Sequence, residues 1–202
     1  MMPSFSDIVA VNTQRPQFAV YLQNVGYMRG LETMNETLET IWKRRSIRKY
    51  KPDPIPEEHL HLILEAARRA PTGGNRQNWR MIVITDPDLR RKTAEACNHQ
   101  VWMADAPVIL CLVRLPGEGQ VNGTIVLDHA ILAATSLGYG TCWVGAYDRA
   151  EVKKLLGIPE DHGTICLTPV GFAAEERAGR SRKAPAELFR TDRFGASLDY
   201  SL

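Results

Sequence analysis

Four cysteines in 202 residues are too few and too scattered to frame a fold with disulfides. Cys97, Cys111, Cys142 and Cys166 form no C-x-x-C pair, and no histidine stands near them at zinc-finger spacing. Three of them, Cys111, Cys142 and Cys166, lie in apolar segments, where a cysteine behaves as a small hydrophobe, so the sequence predicts reduced thiols. Long hydrophobic runs are missing too. The longest, residues 106–113, is strand-sized and well short of the roughly 18 residues that a membrane-spanning helix needs. The first residues lack a basic region followed by an apolar stretch, which argues against a secretory signal and leaves a cytoplasmic location as the expectation. There are no internal repeats and no low-complexity tract. Catalytic signatures are equally scarce: no G-x-S-x-G, and no His/Asp/Glu set at metal-ligand spacing, so neither a hydrolase nucleophile nor a metal is expected.

Charge of one sign is lacking overall but not locally. Twenty-five basic residues stand against 23 acidic ones, for a net charge of +2. Lys43, Arg44, Arg45, Arg48, Lys49 and Lys51 nevertheless crowd into one short stretch, and Arg180, Arg182 and Lys183 form a second knot. Two tight knots on a balanced chain point to a localised anion site. A nucleic-acid face is disfavoured, because stacking aromatics are not interleaved with the basic residues beyond Trp42 and Tyr50.

A hydrophobic content of 44% and a charged content of 24% suit one globular core. Residues 1–34 carry weak periodicity and read as an N-terminal extension, leaving 35–202 as the folded domain. Asn35 is a good cap for a first helix ending near residues 45–46. Pro52, Pro54 and Pro56 break the chain, and Pro56 suits the start of a helix with Leu60, Ile63, Leu64 and Ala67 on one face. A loop PTGGNRQN leads to a strand WRMIVIT. Asp86 with Pro87 opens another helix, and residues 106–113 form a buried strand. After the loop RLPGEGQVNG a long helix is expected over 124–137, stopped by Gly138. Short strands at 141–144 and 164–170 flank a helix capped by Asp148, and a short helix near 186–189 closes the chain. This pattern gives an α and β domain without deciding between a parallel and a mixed sheet.

Three segments could carry chemistry. RRSIRKY, residues 44–50, sets guanidiniums and a hydroxyl at a helix end, a donor set suited to phosphate; a solvated basic helix terminus is the bland alternative. APTGGNRQNW, residues 70–79, offers glycines for close backbone approach and amides to read a polar ring edge; an ordinary helix-to-strand connection needs neither. GYGTCWVG, residues 138–145, is no dinucleotide fingerprint, because a helix precedes it and a strand follows. Arginines, amides and glycines without an acid–base pair suit a protein whose cofactor supplies the chemistry.

In this order and spacing, the three segments resemble the FMN-dependent nitroreductase family from about Thr37 to Phe189, roughly three quarters of the chain. RRSIRKY is similar to its opening phosphate signature, APTGGNRQNW to its Ala-Pro-Ser-x-x-Asn-x-Gln-Pro-Trp loop, the stretch from DHAILAATSLGYGTCWVGAYD to LTPVGF to its long helix and closing strand, and RSRK to its last basic contact. The resemblance implies an α+β nitroreductase-like sandwich, a mixed but mainly antiparallel sheet flanked by helices, in an intertwined homodimer. It implies that Arg44, Arg45, Ser46 and Arg48 hold the FMN phosphate and ribityl chain, with Arg180 and Arg182 closing over it. Pro71, Thr72, Gly73 and Asn75 would approach the isoalloxazine, partly from the other subunit, and Trp143, Val144 and Gly145 would line it. Two departures stand out: Asn78 replaces the family's proline, and Thr72 its serine. The implied reaction is ping-pong reduction of a nitroaromatic or quinone by NADH or NADPH through FMN, with no side chain as catalyst. The alternatives are a dehalogenating or flavin-fragmenting relative and a non-enzymatic flavin-binding module. The short 114–123 connection suggests an open site without a lid.

Overall fold

Strand β2 (Val108–Arg114) is buried along nearly its whole length, which makes it the centre of the domain. In the computed structural model, which describes residues 34–199, it pairs antiparallel with β1 (Trp79–Ile84) on one side and β4 (Gly163–Gly171) on the other. A two-residue strand β3 (Gly140–Thr141) joins the far edge of β4, giving the order β1-β2-β4-β3. Every named pair is antiparallel; the parallel component of the expected mixed sheet is a single bridge between Ser46 and Thr141. Strands buried on both faces read as continuous apolar runs, which explains why strand alternation is absent from 106–113.

Alternate residues of β2 feed two cores. Leu110 and Leu112 pack with α2 (Glu57–Arg68) and the long helix α4 (Gln120–Ser136), whose side chains Val126, Leu127, Ala130, Ile131 and Ala134 are buried. Ile109, Cys111 and Val113 point the other way, against α3 (Pro87–Ala96) and α5 (Arg149–Leu155). Helices on both faces of one sheet give the α+β sandwich. The four cysteines are free and buried. Caps act where the residue types require them. Asn35 Oδ1 accepts from Leu38 N at 3.0 Å ahead of α1 (Glu36–Lys43), Asp86 Oδ1 from Leu89 N at 2.7 Å, and Asp148 Oδ1 from Ala150 N and Glu151 N.

Three boundaries differ from expectation. Helix α1 stops at Lys43 rather than near residues 45–46. Helix α4 starts at Gln120, not at 124, taking in Gly123, where a Cβ would stand 2.1 Å from Ile165 Cδ1 and 3.1 Å from Leu112 Cδ2. That glycine is a close approach of helix to sheet, not a loop residue. The connection from β2 to α4 is therefore even shorter than expected, residues 115–119. The expected 141–144 strand is the two residues of β3 plus a bridge from Val144 to Leu167.

The chain divides into two compact units, 39–179 and a second formed by 1–38 with 180–202. Among its described residues the second contains the short helix α6 (Pro185–Leu188) and a bridge between Arg190 and Ser197. The N-terminal extension lies outside the described residues apart from its last one. Among the described residues, no helix is long and apolar enough to cross a membrane.

Candidate functional site

After α1 the chain runs as a strap along the β3 edge. Ile47 N donates to Thr141 O at 2.9 Å, Lys51 N to Phe172 O at 2.9 Å, and Ala174 N returns a bond to Lys49 O at 2.9 Å. Gly140 makes this fit: a Cβ there would lie 2.8–3.0 Å from the Cγ1, Cβ and Cγ2 of buried Ile47. Tyr50 anchors the strap from below, donating its hydroxyl to Ile47 O at 2.8 Å and stacking on Trp102 with ring centroids 6.4 Å apart. Burying Ile47 and Tyr50 leaves Arg48 and Lys49 exposed and Arg44 and Ser46 half-buried at the edge.

Arg48 rests 6.0 Å over the Trp102 ring, and its backbone N–H donates to Glu175 Oε1 at 2.6 Å. Arg177, which the sequence did not single out, reaches Ser46 O at 3.4 Å and lies 3.7 Å from Glu175. The field of this cluster is felt beneath it. Burial pushes the Cys142 thiol up, while Arg48, a Ser46 hydrogen bond, Arg177 and Arg44 oppose the rise. Arg44, Ser46, Arg48 and Arg177 therefore converge on one edge. Arg45 turns back instead, donating to Trp42 O and, at 2.9 Å, to Arg44 O, which ties off the end of α1. Trp143, Val144 and Gly145 continue from β3 on the same edge, Trp143 half-buried, Val144 bonded to Leu167, and Gly145 exposed. Arg180 and Arg182 belong to the second unit, where Arg182 Nη1 donates to Arg180 O at 3.3 Å.

The 70–78 loop sits elsewhere. Thr72 Oγ1 accepts from Gln77 N at 3.1 Å, Gly73 N donates to Asn122 Oδ1 at 3.1 Å, and Gln77 Nε2 donates to Asn75 Oδ1 at 3.1 Å. Asn75 and Gln77 both adopt left-handed backbone (φ 53 and 52) alongside Gly74 (φ 57), so the turn is tight and its outer backbone exposed. Asn78, in the place of the family's proline, gives its carbonyl to Leu115 N at 3.2 Å. The loop ends at Trp79, opposite Arg114, whereas the strap reaches the sheet at Thr141, opposite Val170, which pairs with Val108. Loop and strap are thus separated by the length of β2, about 20 Å, and by three strand spacings, about 14 Å. One chain does not bring them together. At the loop's foot a cleft of about 360 Å³ is lined by Leu64, Ala67, Gln77, Trp79 and Met81, and Trp79 Nε1–H is buried there without a hydrogen-bond partner.

The histidines do not converge on either region. His59 Nδ1 pairs with Tyr139 OH at 2.7 Å, and His129 Nδ1 lies 3.0 Å from Ile125 O within its own helix. Among the described residues no group of three His, Cys, Asp or Glu could hold a metal ion.

A model described as the nitroreductase family matches residues 41–107 and 95–172, and the chain belongs to that family. It is 38% identical over 176 residues to iodotyrosine deiodinase 1 of Rattus norvegicus, covering 68% of this chain and 62% of that protein. It is 29% identical over 175 residues to the FMN reductase (NAD(P)H) of Bacillus subtilis, covering 74% and 70%. The solved structure of the hypothetical oxidoreductase YcnD from Bacillus subtilis superposes with a TM-score of 0.76 at 27% identity, covering 80% of this chain and 75% of that one.

Proposed function

We propose that this chain is a cytoplasmic, homodimeric FMN-dependent oxidoreductase that takes electrons from NADH or NADPH and passes them, in a ping-pong sequence, to a small acceptor such as a nitroaromatic or quinone. Residues 35–202 form its flavin-binding domain and 1–34 an extension. The observation that carries the reading is the convergence of Arg44, Ser46, Arg48 and Arg177 on one sheet edge beside half-buried Trp143. The donor set fits a flavin mononucleotide: guanidinium forks match a single terminal phosphate, and the exposed, glycine-bearing 71–75 turn admits a planar ring against its backbone.

Bound FMN would supply the hydride chemistry. The chain supplies the rest. Arg44, Arg48 and Arg177 offset the phosphate charge, and Ser46 donates its hydroxyl. Arg45 backs the cluster while its guanidinium secures α1. Trp143, Val144 and Gly145 line the ring, and Pro71, Thr72, Gly73 and Asn75 of the partner chain cover it, because the loop of the same chain stands a strand's length away. The half-exposed stripe Ile125, Leu132 and Ala133 with exposed Ser136 gives α4 a second contact face for the dimer.

Relatedness to a deiodinase makes a halogenated phenol the second acceptor class to assay. Steady-state rates with donor and acceptor varied together test the proposal. Parallel double-reciprocal lines and FMN as the released flavin are expected. Intersecting lines or released FAD would overturn it, and turnover of neither donor would leave a flavin-binding module.

A further inference from the structure

We propose that this chain carries a second anion site, separate from the flavin cradle, that takes a phosphate group at the opposite end of the sheet. A cavity of about 590 Å³ opens between the end of β2, the start of β4 and α5, lined among others by Arg114, Gln120, Arg149, Lys153, Glu160 and His162. That volume lies within the range of small-molecule sites. Arg114 and Gly163 pair at the far end of the β2–β4 ladder from Val108 and Val170, so the strap of residues 44–50 is again about 20 Å away.

The cations here are held in place by main-chain carbonyls, and among the described residues only Lys153 also meets a carboxylate. Arg114 Nη1 donates to Glu118 O at 3.0 Å, Arg149 Nη1 to Thr164 O at 2.7 Å, and Lys153 Nζ to Glu160 O at 2.6 Å. Main-chain carbonyls fix a side chain but leave its full charge, and each guanidinium keeps further N–H donors for a ligand. Two local devices keep the forks in place. Gly163 lies under the Arg114 guanidinium, and a Cβ there would stand 2.5 Å from Nε and 2.8 Å from Cζ. The Tyr147 ring backs Arg149, with Cζ 5.2 Å from its centroid.

Opposing charge is light. Glu160 is the one carboxylate among the described lining residues. It meets Lys153 Nζ at 2.9 Å from a side chain that is 96% exposed, while Lys153 is only 11% exposed. Asp161 lies 2.7 Å from His162 Nδ1. Three cations, an amide from Gln120 and an imidazole line the one cavity, a donor set that suits a tetrahedral dianion better than a planar carboxylate. Glu160 occupies Lys153 when the site is empty and swings into solvent when an anion displaces it.

The test uses flavin-loaded protein, so that the strap is filled, titrated by calorimetry with inorganic phosphate and with ribose 5′-phosphate. One saturable site per chain is expected, weakening as salt rises. Tighter binding of the sugar phosphate would identify a phosphorylated metabolite as the natural ligand, and tighter binding of inorganic phosphate a free phosphate. Arg149→Gln and Lys153→Gln should each weaken binding about ten- to a hundredfold. Because Arg149 also holds Thr164, a second variant is needed whose folding is not in question. Glu160→Gln, on a fully solvated side chain, should tighten binding about two- to fivefold by freeing Lys153. Absence of saturable binding by either probe, or variants that bind as the parent does, would overturn the assignment.

Discussion

Two defective forms of this chain, mixed, should regain activity that neither has alone. The first carries Arg44→Ala and Arg48→Ala in the strap. Each lost charge-assisted contact costs about 1.5–3 kcal/mol, roughly ten- to a hundredfold in flavin affinity. The second carries Gly73→Leu in the loop. The backbone there tolerates a Cβ, whose nearest neighbours would be Asn122 side-chain atoms at 4.0 Å, so the chain should fold while its added bulk denies a ring close approach. Strap and loop are separated by about 20 Å along the sheet of one chain. If a site is built from the strap of one subunit and the loop of its partner, a heterodimer of the two forms holds one site broken on both sides and one intact. Random reassortment of equal amounts makes about half of all dimers mixed, so about a quarter of wild-type activity should return. The assay is acceptor reduction after mixing through partial denaturation, with differently tagged chains to count heterodimers. Activity no higher than the parents, with heterodimers present, would refute the shared site.

Gly140→Ala should push Ile47 and the strap off β3, lowering stability by about 1–3 kcal/mol and flavin occupancy with it, read by thermal melting and by flavin retained on dialysis. The thiols should be inert in the folded protein: burial pushes Cys97, Cys111 and Cys166 up to about 12 from the usual 9, so none should react with a disulfide reagent at mildly alkaline pH until denaturant is added. Because these folded-state values are raised, the stability the neutral thiols contribute is complete below pH 9. It should fall as pH climbs from 9 towards 12, since the unfolded chain releases those protons first. Denaturant midpoints flat across that window would contradict it.

Much of the fold was legible because local chemistry decided it. Asn35, Asp86 and Asp148 cap helices as short polar side chains ahead of periodic segments do, and the apolar run around β2 is buried as its composition demands. Non-local contacts stayed hidden. Gly123 looks like a turn residue until Ile165 and Leu112 are seen against it. Arg177 stands in EERAGR, which reads as a solvated tail; its place beside Ser46 depends on a pairing across 131 residues, as the Arg48 bond to Glu175 does across 127. Arg45, grouped with its neighbours by spacing, turns towards the carbonyls that close α1, a choice set by where the helix ends. The 70–78 loop and the strap stand close together on the line of the sequence, and only the strand register shows them at opposite ends of the sheet. The cavity around Arg149 left no motif, since its cations come from β2 and α5, elements far apart in the sequence.

The visible absorption spectrum of the purified protein, loaded with FMN and titrated anaerobically with NADH and then NADPH, decides whether this chain passes electrons through a flavin. One FMN is expected for each chain, bleached by at least one donor and restored when a quinone or nitroaromatic is added. A protein that retains no flavin after gel filtration, or holds one that neither donor bleaches, would contradict it.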